Sequence, residues 1–201
     1  MARYRFLTLD CYGTLMDWRA GIAEHLGGSC AGTGWTCPPR RCWRPTWRRS
    51  TGWRRGLTAD TGRSWRRRRG RWPPFPDTVE GLKALGAMGF RRVILSNVDR
   101  DLLAETIRCH RLEVDGAVTA EDTRTYKPHP QHWLTFCTRY GARREEVLHI
   151  AQSLLHDVQP ALGLKRDCVW RNRYGEPLPE DLWPTHVVED MDALVGWLLA
   201  Q

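Results

Sequence analysis

Tyr4-Arg5-Phe6-Leu7-Thr8-Leu9-Asp10-Cys11-Tyr12-Gly13-Thr14-Leu15 is the stretch on which the fold turns. The apolar run Tyr4–Leu9 predicts a β-strand, and it stops at an acid followed by a glycine-containing turn. The same grammar recurs further along the chain. Val79, Leu82, Leu85 and Met88 repeat every three residues and predict a helix. Arg92–Leu95 predicts a second strand, ending at Ser96-Asn97. Leu102, Leu103 and Ile107 suit another helix, and Gly116–Thr119 a short strand. Trp133, Cys137 and Tyr140 share one helical face after Pro130. Val147–Ala151, Cys168–Trp170 and an edge segment, His186–Val188, complete the strands. Met191, Leu194, Val195, Leu198 and Leu199 form a closing amphipathic helix with Asp190 in the capping position. Strands alternating with helices imply an α/β fold with a parallel sheet and helices on both faces. Ligands of such sheets gather at the carboxyl ends of the strands. Asp10, Ser96-Asn97 and the residues after Ile150 stand there, and Lys127 precedes the helix that follows Pro130.

The chain has 201 residues, 41% of them hydrophobic, enough for one or two domains with a sizeable core. No apolar run approaches the roughly 18–20 residues of a membrane span. The N-terminus lacks the apolar core and cleavage site of a secretory signal. A cytoplasmic protein with no membrane partner is therefore expected. The net charge of +8 is unevenly divided, because residues 28–72 hold thirteen Arg, no Lys and one acid, Asp60, and so carry +12 against −4 for the remainder. That segment also holds six of the eleven Trp, and Leu57 is its sole Leu, Ile or Val. Arg66-Arg67-Arg68-Arg69 leaves no apolar face on a helix or a strand. Three readings compete: Arg and Trp binding nucleic acid, a solvated and poorly ordered insertion, and a stretch read in a shifted frame of a GC-rich gene. The last is preferred, and nucleic acid is the unfavoured partner. Cys30, Cys37 and Cys42 have no zinc-type spacing, and seven Cys without a signal peptide argue against a disulfide framework.

Each strand-end residue has an ordinary reading. Asp10 alone would be a capping acid, Lys127 a solvated loop residue, and Asp157 a helix N-terminal acid favoured by the dipole. His149, inside an apolar strand, reads as a satisfied core residue. His156 beside Asp157 is a weaker site candidate, and His129 and His132 have no cluster around them that suggests a metal. Against this, a carboxylate at a strand tip can act as a nucleophile when the following turn aims N–H groups at the reacting centre. Gly13 would permit close backbone approach there, and Thr14 could bond the carboxylate or the substrate.

Four pieces in order resemble the haloacid dehalogenase-like superfamily of hydrolases. Asp10-Cys11-Tyr12-Gly13-Thr14-Leu15 is similar to its first motif, Leu95-Ser96-Asn97 to its second and Tyr126-Lys127-Pro128 to its third. Ala151-Gln152-Ser153-Leu154-Leu155-His156-Asp157 occupies the place of its fourth. The resemblance covers residues 1–27 and about 73–201. It implies a Rossmann-like core over 1–15 and 76–201, with a cap inserted over 16–75. Here that cap reads as aberrant or disordered, because the Arg/Trp-rich stretch fills most of it.

The resemblance implies catalytic roles for Asp10, Thr14, Lys127 and Asp157, and substrate contacts from Tyr12, Ser96 and Asn97. Phosphatases of the superfamily carry a second Asp, which protonates the leaving alkoxide, where this chain has Tyr12 with an ordinary pKa of about 10. The dehalogenase branch has Tyr there, and halide needs no proton to leave. A 2-haloacid dehalogenase without cofactor is thus the favoured reading. The alternatives are a small-molecule phosphatase, with Mg²⁺ on Asp10 and Asp157, and a non-catalytic relative. Gln152 stands where such a phosphatase has its first acid. Gln152 and Leu154 stand where the dehalogenase branch has Ser and Asn, and Trp133 takes the place of an aromatic residue of that branch. The expected partner is a small-molecule substrate, and a homodimer is left open.

Overall fold

The computed structural model describes residues 3–23 and 72–201. Most of the expected cap, with residues 28–71 and the question of a shifted frame, lies outside the described residues. Six strands form one parallel sheet in the order β3-β2-β1-β4-β5-β6. They are β1 (Phe6–Leu9), β2 (Arg91–Ser96), β3 (Gly116–Thr119), β4 (Val147–Ala151), β5 (Asp167–Arg171) and β6 (His186–Val188). The helices are α1 (Thr78–Ala87), α2 (Arg100–His110), α3 (Ala120–Thr123), α4 (Gln131–Tyr140), α5 (Gln159–Gly163) and α6 (Met191–Leu199). A π-helical turn, Leu154–Val158, leads into α5. Among the described residues no helix is long and apolar enough to cross a membrane.

Both faces of the sheet are covered, which is why its central strands are mostly apolar, with Thr8 and His149 the exceptions in β1 and β4. Alternation of side chains along each strand divides the core in two. On one face Leu7, Leu9, Ile94, Leu148 and Ile150 pack against Leu82 and Leu85 of α1, Leu103 of α2, and Met191, Leu194 and Leu198 of α6. On the other, Phe6, Val93, Leu95 and Val147 meet Trp133 and Phe136 of α4 and Ala161 of α5. β1 is central, paired with β2 on one side and β4 on the other. Its carboxyl end, and therefore Asp10, lies at the middle of the sheet, where the order of strands reverses from β2 to β4. The expected edge position of β6 and the capping role of Asp190, whose side chain accepts from Ala193 N at 2.8 Å, are both present. The four described cysteines, Cys11, Cys109, Cys137 and Cys168, are free thiols.

Candidate active site

Asp10 leaves β1 with its own N–H still bonded to Ile150 O of β4, at 3.1 Å. The chain then folds into a tight loop in which Leu15 and Met16 both donate to Cys11 O. Gly13 supplies the left-handed conformation this loop needs, with φ at +103°. A Cβ there would also press on Trp18 Nε1 at 3.2 Å and Gln152 Oε1 at 3.3 Å. The loop returns Thr14 beneath the carboxylate. Thr14 Oγ1 donates to Asp10 Oδ2 at 3.0 Å while accepting from Gln152 N at 3.0 Å, so its hydroxyl direction is fixed.

Lys127 closes the site from the far side. Its ammonium has three protons and three acceptors: Asp10 Oδ1 at 2.8 Å, Leu95 O at 2.8 Å and Asp157 Oδ1 at 2.5 Å. Asn97 grips the same residue by its backbone, donating Nδ2–H to Lys127 O at 3.0 Å and accepting from Lys127 N at 2.6 Å. Asp157 arrives from the π-helical turn and has a second donor, His149 Nε2 at 3.2 Å. The Lys127 and Asp157 side chains are each about 1% exposed, whereas that of Asp10 is 12% exposed, so Asp10 is the member of the trio that a substrate can reach.

Burial acts on all three groups and opposes their charges. For Lys127 it is outweighed by the two carboxylates, which hold the ammonium's pKa above its ordinary value. For Asp157 burial is likewise outweighed, here by Lys127 and the His149 hydrogen bond, and its carboxyl lies below the usual range. For Asp10 burial prevails. Lys127 and Thr14 pull its pKa down and the Asp157 charge pushes it up, leaving the carboxyl above its usual value.

Asp10, Thr14, Lys127 and Asp157 thus come together around one ammonium. Ser96, 2% exposed, ends the strand whose Leu95 carbonyl holds that ammonium. Asn97 braces Lys127 through one Nδ2–H and its Oδ1. The Tyr12 hydroxyl lies 2.6 Å from Thr106 Oγ1 of α2. His156 bonds to Ser153. Trp133 is fully buried, edge-on to His149 with ring centroids 5.3 Å apart. His132 is fully buried and donates to Ser96 O at 3.1 Å. Burial, with the Lys127 charge behind it, lowers the His132 pKa to about 4. Sequence reasoning gave His149 no part here. The available signal was a polar residue in a buried strand paired in register with Thr8, itself two residues before Asp10.

The donor set does not fit Mg²⁺. That ion prefers six oxygen ligands in octahedral array. Oδ1 of Asp10 and of Asp157 are bonded to Lys127 and Oδ2 of Asp10 to Thr14, and the place of a further acid is taken by the neutral Gln152. Among the described residues no three His, Cys, Asp or Glu side chains cluster in a way that could hold a metal.

A family model described as haloacid dehalogenase-like hydrolase matches residues 54–162, more than half the chain. That span holds Ser96, Asn97, Lys127 and Asp157 but not Asp10. Haloacetate dehalogenase H-2 of Moraxella sp. (strain B) is 32% identical over 130 residues, 62% of this chain and 57% of that protein. Glyceraldehyde 3-phosphate phosphatase of Methanocaldococcus jannaschii is 23% identical over 128 residues, 61% of this chain and 55% of that protein. The chain thus spans little more than half the length of these curated relatives. In fold it is similar to the L-2-haloacid dehalogenase PA0810, with a TM-score of 0.70 at 20% identity over 97% of this chain and 99% of that one.

Proposed function

The chain belongs to the haloacid dehalogenase-like hydrolases, and from that membership we propose that it hydrolyses the carbon–halogen bond of a small 2-haloacid, with Asp10 as nucleophile. The observation that carries this reading is the single ammonium of Lys127 held between two carboxylates, of which Asp10 is the more exposed. An Asp10 oxygen attacks the halogen-bearing carbon. The C–O bond of an ester forms as the carbon–halogen bond breaks and halide departs. Water then attacks the Asp10 carbonyl carbon. Lys127 stabilises the oxyanion that develops on Asp10, and Asp157 takes the proton from the water. Collapse expels the hydroxyacid oxygen and restores Asp10. Thr14 and Asn97 hold the nucleophile and Lys127 in register, and Ser96 lines the substrate side. The same reading takes the protein to be cytoplasmic.

Tyr12 favours halide over phosphate. Thr106 Oγ1 spends its one proton on Leu102 O at 3.0 Å, so in the Tyr12–Thr106 pair the phenol is the donor. A Tyr12 hydroxyl so committed has no proton for a leaving alkoxide, which phosphate esters need and halide does not. The poor fit to Mg²⁺ supports the same choice. The test is halide release from 2-chloropropionate in the presence of EDTA, set against phosphate release from p-nitrophenyl phosphate with Mg²⁺. Halide release that Asp10→Asn abolishes is the expected result. Mg²⁺-dependent phosphate release without halide release would overturn the reading.

A further inference from the structure

The mechanism leaves one buried titratable side chain beside the site unused. His149 lies in β4, fully buried, with the backbone on either side of it locked into the sheet. Its Nε2 is 3.2 Å from Asp157 Oδ1, and its Nδ1 is 3.0 Å from Thr8 Oγ1 on the adjacent β1. A carboxylate oxygen has only lone pairs to offer, so the proton between His149 and Asp157 is carried by Nε2 in either protonation state of the ring. Trp133 packs edge-on against the same ring and closes it from the side. The charged groups facing this pair are Lys127 and, beyond it, Asp10.

We infer that His149 is a positioning residue for the second half of the reaction: braced by Thr8, it holds Asp157 by a hydrogen bond in the orientation that receives the proton of the hydrolytic water. The inference rests on the reading of Asp10 as an ester-forming nucleophile. In the first half Asp10 carries out the displacement, and Asp157 has only to share Lys127. In the second half Asp10 is an uncharged ester, so Asp157 is the carboxylate left on the ammonium. Water gives one proton to Asp157 as its oxygen bonds to the Asp10 carbonyl carbon. The ester C–O bond then breaks, and the departing alkoxide takes that proton. The second proton of the water leaves Asp10 to solvent. An Asp157 held by Lys127 alone is free to turn about that contact. The His149 bond, made to the same Oδ1 from another direction, adds the second restraint that fixes it.

The asymmetry between the two half-reactions makes this testable. In the full-length chain, His149→Leu is expected to keep a stoichiometric first burst of halide from 2-chloropropionate. Its steady-state rate should fall by on the order of ten- to a hundred-fold, the value of one hydrogen bond to a charged group. Intact mass should then reveal enzyme carrying the ester during turnover, and KM should fall with kcat. His149→Gln, which keeps an N–H donor, should recover most of the rate. Thr8→Val keeps the imidazole and removes only its brace, so it reads the same asymmetry where the leucine variant does not fold. A His149→Leu enzyme with wild-type turnover would overturn the inference, as would burst and steady state falling together without ester. A wild-type chain that releases no halide would instead remove the underlying reading, and the inference with it.

Discussion

Asp10 has to be ionised to attack carbon, yet its surroundings resist ionisation. Burial is the largest influence and lifts its carboxyl above the ordinary 3.8, the Lys127 charge opposes this, and the Asp157 charge adds to it. The protonated form is inert, so activity is lost as pH falls through this raised value. The acid limb of kcat/KM is therefore expected to have its midpoint above 3.8. A pH profile of halide release measures it, and a limb at or below that value would contradict the electrostatic picture. Lys127→Met deepens the test. Without the ammonium, two carboxylates share the site uncompensated, so the limb should move to higher pH. The loss of the oxyanion partner should also lower kcat by roughly 10²–10³.

Among the elements, α6 offers a clean local test. Asp190 caps it through Ala193 N, and the helix buries Met191, Leu194 and Leu198 against the sheet. Asp190→Ala should destabilise the protein by about 1 kcal/mol. A thermal melt should then shift downward by roughly 2–4 °C, with halide release by the folded enzyme unchanged because Asp190 itself bonds only within its own helix. This cap was readable because an Asp before an amphipathic run is a local signal. The strands were readable for a related reason: with both faces covered, β1, β2 and β4 become largely apolar runs. Their topology then carried Asp10, Ser96 and Asn97 to one end of the sheet. The π-helical turn that aims Asp157 was not readable, because one widened turn has no compositional mark. Nor was the hold of Asn97 on Lys127, a bond across 30 residues of chain. In the sequence His149 reads as a satisfied core residue. It is one, and its satisfaction comes from Asp157.

At the scale of the whole molecule, the core is assembled from chain on either side of residues 24–71, and one buried cluster joins the two parts. Phe75 N bonds Leu15 O at 3.0 Å, Asp17 N bonds Pro73 O at 2.8 Å, and Thr78 Oγ1 bonds Leu15 O at 2.8 Å. Beneath this neck the fully buried guanidinium of Arg171, at the end of β5, donates to Thr14 O and to Asp77 Oδ2, the latter at 2.9 Å. Asp77 also receives Arg173 and, at 2.7 Å, the Met191 N–H at the start of α6. One carboxylate therefore pairs with two arginines, while Arg171 holds the carbonyl of the residue that bonds the nucleophile. Removing Asp77 alone leaves a buried cation unpaired, so Asp77→Ala should cost about 3–5 kcal/mol in denaturant unfolding. Arg171→Met removes the buried charge and leaves Asp77 paired with Arg173, and should cost less. The double variant should be more stable than the sum of the two single losses predicts, by at least about 1 kcal/mol. Additive losses would mean that the two side chains act independently. Arg171→Met should also lower kcat, because Thr14 then loses the anchor that keeps its hydroxyl under Asp10. A variant with normal stability and normal kcat would remove the cluster from both roles.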